Sequence, residues 1–314
     1  MPDTDVTEIR AMMNRRQFLA AGTAAAGLAA CGAVPEKRMA ITMDDFSLSF
    51  AERLSPAERD KAILAAFEQY GIRAAGFVTG QNTDNEFGRE VIARWQRSGH
   101  LIGNHCWSHP HASALTPGAF CEDIVRNDAY LSDYRAYKRN FRFPFLDEGA
   151  TPEDRDAIRG WLAENGYRNA AVTIDSQDWS ITERLEARLR EDPYADVSAF
   201  GAFYTQHVVD LAEHYHFVAL AMGLEFVPHT LLVHHNVLNG LFLRDVLAGL
   251  AAAGWSFLPA ARALAHPFFD AAPVPLNGGR SLLDVLAQER GATVPTYPER
   301  GLQFGRIAME TAGL

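Results

Sequence analysis

The stretch Arg38-Met-Ala-Ile-Thr-Met-Asp-Asp45 decides how the rest of the chain is read. Residues 39–43 carry no charge and run straight into two adjacent carboxylates. That is the pattern of a strand buried on both faces that delivers polar groups at its end. Strands buried on both faces belong to parallel sheets covered by helices, so helices and further strands should alternate along the chain.

They do. Residues 55–71, SPAERDKAILAAFEQYG, read as a helix, with Ser55 as cap, Pro56 in the first turn and Gly71 at the end. Residues 73–80 read as a second strand, 85–99 as a helix, 100–105 as a short third strand and 118–134 as a helix. Residues 139–144, RNFRFP, read as a fourth strand. Residues 151–166 open on Thr151-Pro152 followed by acids and close on Gly166, which marks a helix. Residues 168–175, RNAAVTID, read as a fifth strand, and 183–222 as mostly helical. Residues 229–236, HTLLVHHN, read as a sixth strand, 240–254 as a helix and 255–260 as a seventh strand. This β/α order with about seven strands fits an irregular closed barrel or an open doubly wound sheet. Neither Gly-x-Gly-x-x-Gly nor a P-loop follows the first strand, so nothing points to a nucleotide.

In such folds chemistry collects at the C-terminal ends of the strands. There the first strand places Asp44 and Asp45, the third His105 and His109, and the fourth Arg142. The fifth leads to Asp175, Asp178 and Trp179, and the sixth ends in His234-His235. The segment GNHCWSHPHA (103–112) holds three imidazoles and reads either as a His-rich surface loop or as a metal site. His105 and His109 are spaced i, i+4, but no Glu follows His105, so this is not a zincin helix. Pro110 drives His109 out of the helical region, which leaves the pair on a strand end and loop. A catalytic Zn²⁺ needs a third ligand and an open position, and a carboxylate of the first strand end is the natural candidate. Asp44 and Asp45 face opposite ways in an extended strand, so the chain must turn there if both are to face the site.

These motifs resemble, in order, those of the polysaccharide deacetylases with a NodB-like domain, carbohydrate esterase family 4, over roughly residues 39–260. The resemblance implies an irregular (β/α)7 barrel, TIM-barrel-like, as a single catalytic domain. TMDD implies Asp44 as catalytic base and Asp45 as metal ligand. HCWSHP implies His105 and His109 as the other ligands of a divalent metal, most simply Zn²⁺, with His111 a bystander near the rim. RFP implies that Arg142 holds Asp44, and Pro144 borders the substrate; Phe145 and Leu146 follow where the family usually has Gly or Tyr. DSQDW implies that Asp178 orients the catalytic histidine and that Trp179 walls the pocket. LVH implies Leu232 lining an acetyl pocket and His234 as general acid, with His235 where the family usually has Asp. The implied activity is removal of N-acetyl groups from an N-acetylated amino sugar polymer or oligomer, peptidoglycan or chitin-like. The alternatives are an O-acetyl esterase on a xylan-like polymer and a non-catalytic glycan-binding lipoprotein that retains the metal site.

Residues 1–34 read as an export signal and leader. Arg15-Arg16 precede a weakly apolar, Ala-rich run that is too short and small to span a bilayer and resembles a twin-arginine signal. Leu28-Ala29-Ala30-Cys31 resembles a lipobox, which implies a lipid anchor on Cys31 and a periplasmic location. Residues 35–265 form the catalytic domain, and 266–314 a C-terminal extension with one helix, at 281–291. Beyond Cys31 only Cys106 and Cys121 remain, either paired in an oxidising compartment or free and buried. A net charge of −10 over 314 residues argues against a nucleic-acid or anionic-membrane binding surface, so the only membrane contact expected is through a lipid anchor on Cys31.

Overall fold

Strand β1 (Arg38–Asp45) lies near the middle of a parallel sheet in the computed structural model, which describes residues 36–270, 281–292 and 308–314. The leader, with Arg15, Arg16 and Cys31, lies outside the described residues. After β1 come α1 (Pro56–Gln69), β2 (Ala75–Val78), α2 (Glu86–Arg97), β3 (Leu101–Asn104), α3 (Pro117–Leu131), β4 (Tyr137–Phe141) and α4 (Pro152–Glu164). Then follow β5 (Arg168–Asn169), β6 (Ile174–Asp175), α5 (Asp178–Glu191), α6 (Ser198–Ala221), β7 (His229–His234), α7 (Val237–Ala252), β8 (Ser256–Phe257) and α8 (Leu282–Glu289), with shorter helical turns between some of them. The expected caps are in place. Ser55 and Glu58 form a reciprocal capping box on α1, and the Thr151 hydroxyl accepts from the Asp154 amide.

The sheet order is β5-β4-β3-β2-β1-β7-β6, with β8 beside the start of β1, and every pairing is parallel. Residues 168–175 form two strands, not the one expected. β5 pairs with β4 at one edge, and β6 pairs with β7 at the other. Only residues 170–173 join the two edges, and that many residues can reach at most roughly 18 Å, so the sheet must curl into a barrel. The gap is sealed by side chains: Arg142 Nε donates to Ala170 O at 2.6 Å, and Thr230 Oγ1 donates to Ala171 O at 2.9 Å. The split raises the strand count to eight. The fourth strand also begins earlier than expected and stops at Phe141, leaving Arg142-Phe143-Pro144 in the turn that follows. Residues 183–222 are helical as parts of α5 and α6, separated around Pro193, which cannot continue a helix.

Along β1 the side chains alternate between two buried layers. Met39, Ile41 and Met43 join the large apolar cluster with Ile63, Phe67, Val91 and Trp95 of α1 and α2. Ala40 packs on the other side with Ala75, Phe77 and the short helix Ala260–Leu264. Thr42 and Asp44 continue that inner row toward the C-terminal rim. Small residues at one end of the row and polar ones at the other leave space for chemistry only at the rim. Among the described residues, no helix is long and apolar enough to cross a membrane.

Candidate active site and metal centre

β1 ends in a tight turn. The Phe46 amide donates to Asp44 O at 3.0 Å, and Asp45 (φ 75°) and Phe46 (φ 53°) are both left-handed. Such conformations cost roughly 1–3 kcal/mol each in non-glycine residues and persist only where the surroundings enforce them. This turn meets the condition set by the sequence, that adjacent carboxylates face one site. Asp44, 2% exposed, receives Arg142 Nη1 at 3.1 Å on Oδ2. Arg142 is itself held by Ala170 O, by Thr42 Oγ1 at 3.2 Å and by the Phe77 ring below its guanidinium. Burial lowers the Arg142 pKa and Asp44 opposes that shift.

Asp45 Oδ1 lies 3.2 Å from His105 Nε2 and 3.1 Å from His109 Nε2. Burial pushes the Asp45 carboxyl up, but the two imidazoles outweigh it and hold it well below the usual carboxylate range. The same Oδ1 is buried yet makes no well-aligned hydrogen bond. His105 Nδ1 donates to the carbonyl of Arg142 at 2.8 Å, which leaves the Nε2 lone pair pointing at Asp45. The three donor atoms all lie within 4.8 Å of one another. Ligands at about 2.1 Å around a tetrahedral ion stand about 3.4 Å apart, so the Asp45–His105–His109 set fits a small divalent cation. His109 leaves the right-handed helical region, as Pro110 requires, but is left-handed at φ 56° rather than extended. His111 stays outside the set: it pairs with Asp147 at 3.3 Å and stacks on Phe145 at 3.7 Å.

On the neighbouring strand, His234 stands opposite Asp44 in the β1–β7 register. Its Nδ1 donates to Asp178 Oδ1 at 2.6 Å. Asp178 is fully buried and also accepts from the His234 amide, Asn236 Nδ2 and Asn239 Nδ2 at 2.8, 2.9 and 2.6 Å. Burial opposes a charged His234, but Asp178 more than compensates and lifts the imidazole to about 10. Asp178 moves the other way: burial raises it, and His234 pulls it below the ordinary range. Asp175, at the end of β6, stays raised, by burial first, with the charges of Asp178 and Asp44 adding to it.

The remaining expected residues frame the same rim. Trp179 is 39% exposed in the first turn of α5, Leu232 is buried on β7 between Thr42 and Asp175, and Pro144 opens the turn Pro144–Leu146. Cys106 and Cys121 are free and buried; burial raises both thiols, Cys121 to about 11. His235 points away from the rim, to Asp60 at 3.4 Å. Sequence reasoning missed the groups that hold the site. Asn236, which caps α7, falls where the sequence predicts the end of the sixth strand, and Asn239, fixed by Tyr204 at 2.9 Å, falls just before the predicted helix, because α7 begins at Val237 and not at 240. Asp123 on α3 had no signal at all, yet it accepts the amides of Trp107 and Ser108 and so shapes the loop between the two histidine ligands.

Residues 32–169 match the family model described as polysaccharide deacetylase. The chain is 24% identical over 117 residues to a peptidoglycan-N-acetylglucosamine deacetylase of Bacillus cereus, covering 37% of this chain and 40% of that protein. It is 26% identical over 186 residues to a chitin deacetylase of Colletotrichum lindemuthianum, covering 54% and 66%. The chain thus spans less than two thirds of the length of these curated relatives. Among solved structures it is similar to a polysaccharide deacetylase from Bacillus cereus, with TM-score 0.52, 20% identity, and 71% and 91% of the two chains covered. The structure of the Colletotrichum lindemuthianum chitin deacetylase gives TM-score 0.52, 17% identity, and 73% and 88% covered. At these identities the structural likeness is one of fold.

Proposed function

We propose that the chain, whose residues 32–169 match the polysaccharide deacetylase family model, is an exported, metal-dependent hydrolase of that family releasing acetate from N-acetylated amino sugars of a peptidoglycan or chitin-like glycan. One observation carries this reading. A carboxylate clamped by arginine and an imidazole clamped by aspartate face each other across adjacent strands, beside a His₂Asp cluster. A glycan-binding module has no need of that acid and base pair.

Asp45, His105 and His109 would hold a divalent cation, Zn²⁺ in this reading, which would supply Lewis acidity for the amide carbonyl and lower the pKa of water. Asp44, aimed by Arg142, takes a proton from the water whose oxygen attacks the acetyl carbon. His234 holds its proton at neutral pH because Asp178 accepts from Nδ1, and it gives that proton to the amide nitrogen as the C–N bond breaks. Acetate and a free amine leave. Leu232 and Trp179 wall the space for the acetyl methyl, and Pro144 borders the sugar. Acid and base are thus different residue types in separated environments, as two opposite proton transfers at one pH require.

Acetate release from chitooligosaccharides, peptidoglycan and acetylxylan, each with and without a chelator, tests the reading. Chelator-sensitive release from the first two supports it, and release from acetylxylan alone replaces it with an O-acetyl esterase. The leader supports export through a twin-arginine route and lipidation of Cys31, giving a periplasmic lipoprotein. Arg15→Lys/Arg16→Lys then blocks export, and Cys31→Ser turns a membrane-bound protein into a soluble periplasmic one. Fractionation of the three forms decides this, and a soluble wild type overturns lipidation.

A further inference from the structure

The end of the barrel away from the rim carries an apolar surface that the chemistry above does not use. Residues 217–227, FVALAMGLEFV, close α6 and lead into β7. Phe217 is 40% exposed, Leu220 37% and Phe226 71%. Phe217 and Leu220 are spaced i, i+3 and so share one helix face. Nine large hydrophobic residues are exposed among the described residues, and three of them fall within these eleven positions, so the exposure is clustered rather than scattered. The cluster is held in place: Arg38 Nη2 donates to Phe226 O at 3.1 Å, and Arg290 Nη1 donates to Met222 O at 3.2 Å.

Its position relative to the chain suggests what covers it. Arg38 is the first residue of β1, and the Asp44–Asp45 rim is at the other end, about 23 Å away at roughly 3.3 Å per residue. The chain therefore enters the barrel at the apolar end. Cys31 precedes Glu36 by five residues, a reach of at most roughly 18 Å. A lipid on Cys31 would hold this end within that distance of a bilayer. Lipidation sets the distance but not the orientation, whereas an apolar face with two phenylalanines can set it by resting in the interface.

We propose that Phe217, Leu220 and Phe226 form a docking face for the lipid bilayer surface, which turns the Asp44–His234 rim outward toward the glycan. The part played by Cys31 rests on the export and lipidation reading; the face itself does not. Phe217, Leu220 and Phe226 carry no charge, so a contact made through them should be insensitive to salt.

Flotation of the full chain carrying Cys31→Ser with phosphatidylcholine vesicles tests the face apart from the anchor. The expected result is co-flotation that persists in high salt and falls at least about tenfold in partition coefficient on adding Phe217→Ser/Phe226→Ser. Phe50→Ser serves as control, because Phe50 is 74% exposed but follows β1 at the rim end. An equal loss in the control, or no loss in the double variant, overturns the proposal. So does sedimentation showing that the face holds a second copy of the chain without binding vesicles. Acetate release from a soluble chitooligosaccharide in the same samples separates the two readings. Full release with lost flotation supports the docking face, and intact flotation without release in any form breaks the deacetylase reading alone.

Discussion

Two Asp–His pairs sit back to back at the end of β7, and they are built for different purposes. At the rim, His234 meets Asp178 at 2.6 Å with its side chain 19% exposed. Behind the sheet, His235 meets Asp60 at 3.4 Å with neither side chain exposed, and it stacks on Phe46, whose ring also packs on Trp95. Asp60 is already satisfied by Arg94 and by Trp95 Nε1 at 2.8 Å, so it is shared among three donors. Asp178 is filled by Asn236, Asn239 and the His234 amide, but its shortest side-chain contact to a titratable partner is His234 alone. The same two side-chain types thus make a proton donor on one face and a packed polar core on the other. What separates them is access to the rim and the kind of competing partner: Asp60 also pairs with the charged Arg94, whereas the other donors to Asp178 are neutral amides.

The largest expected effect comes from dismantling the rim face at the metal cluster. His105→Ala should remove both bound metal and activity while the fold persists, since the barrel core lies in other residues. Metal analysis of the purified variant checks this, and a full equivalent of tightly held metal would sink the ligand assignment. His234→Ala should keep its metal and lose roughly 10²–10⁴-fold in kcat, the usual worth of a positioned general acid. Asp178→Asn sharpens the comparison through pH. Burial lowers His234, and Asp178 does most, with Asp45 and Asp44 adding, to raise it to about 10; without Asp178 the imidazole loses its proton at a lower pH. The alkaline limb of the kcat profile should therefore shift to lower pH, and an unmoved limb would mean that another group is the acid. The same pair has a sign for stability. A raised histidine pKa stabilises the fold below the unfolded value near 6.5, and that contribution disappears as pH rises through about 10. The smallest effect on catalysis belongs to the back pair. His235→Ala should change kcat by no more than a few-fold and cost about 1–3 kcal/mol, from a buried hydrogen bond lost inside a packed cluster. Urea unfolding set beside kcat measures both. If His235→Ala damages kcat more than His234→Ala does, the two faces have been assigned the wrong way round.

Much of this was legible before any coordinates. The strand ends named the rim: Asp44, Asp45, His105, His109, Arg142, Asp178 and His234 all meet there. Period-two alternation was enough to send His234 and His235 to opposite faces, and capping signals placed α1 and α4 to within a residue or two. Residues 168–175 misled because eight residues of strand-forming composition say nothing about which neighbour each will pair with. Asn236 falls at the predicted end of the sixth strand and Asn239 just before the predicted helix, so neither pointed to Asp178, to which both donate.

By itself the sequence determined the β/α alternation, the side to which each strand residue points, and the set of groups the rim would hold. These are local properties, set by side-chain periodicity and helix-end chemistry within a few residues. Only the tertiary structure decided that the sheet curls, because β5 and β6 find partners at opposite edges and residues 170–173 must bridge them. Only it decided that both carboxylates of Asp44-Asp45 face the rim, because two left-handed residues in succession persist only when the surrounding packing enforces them. And only it decided how firmly His234 holds its proton, with an imidazole raised to about 10 beside buried Asp178. That depends on how buried carboxylates share their partners, and those partners are brought together from distant parts of the chain.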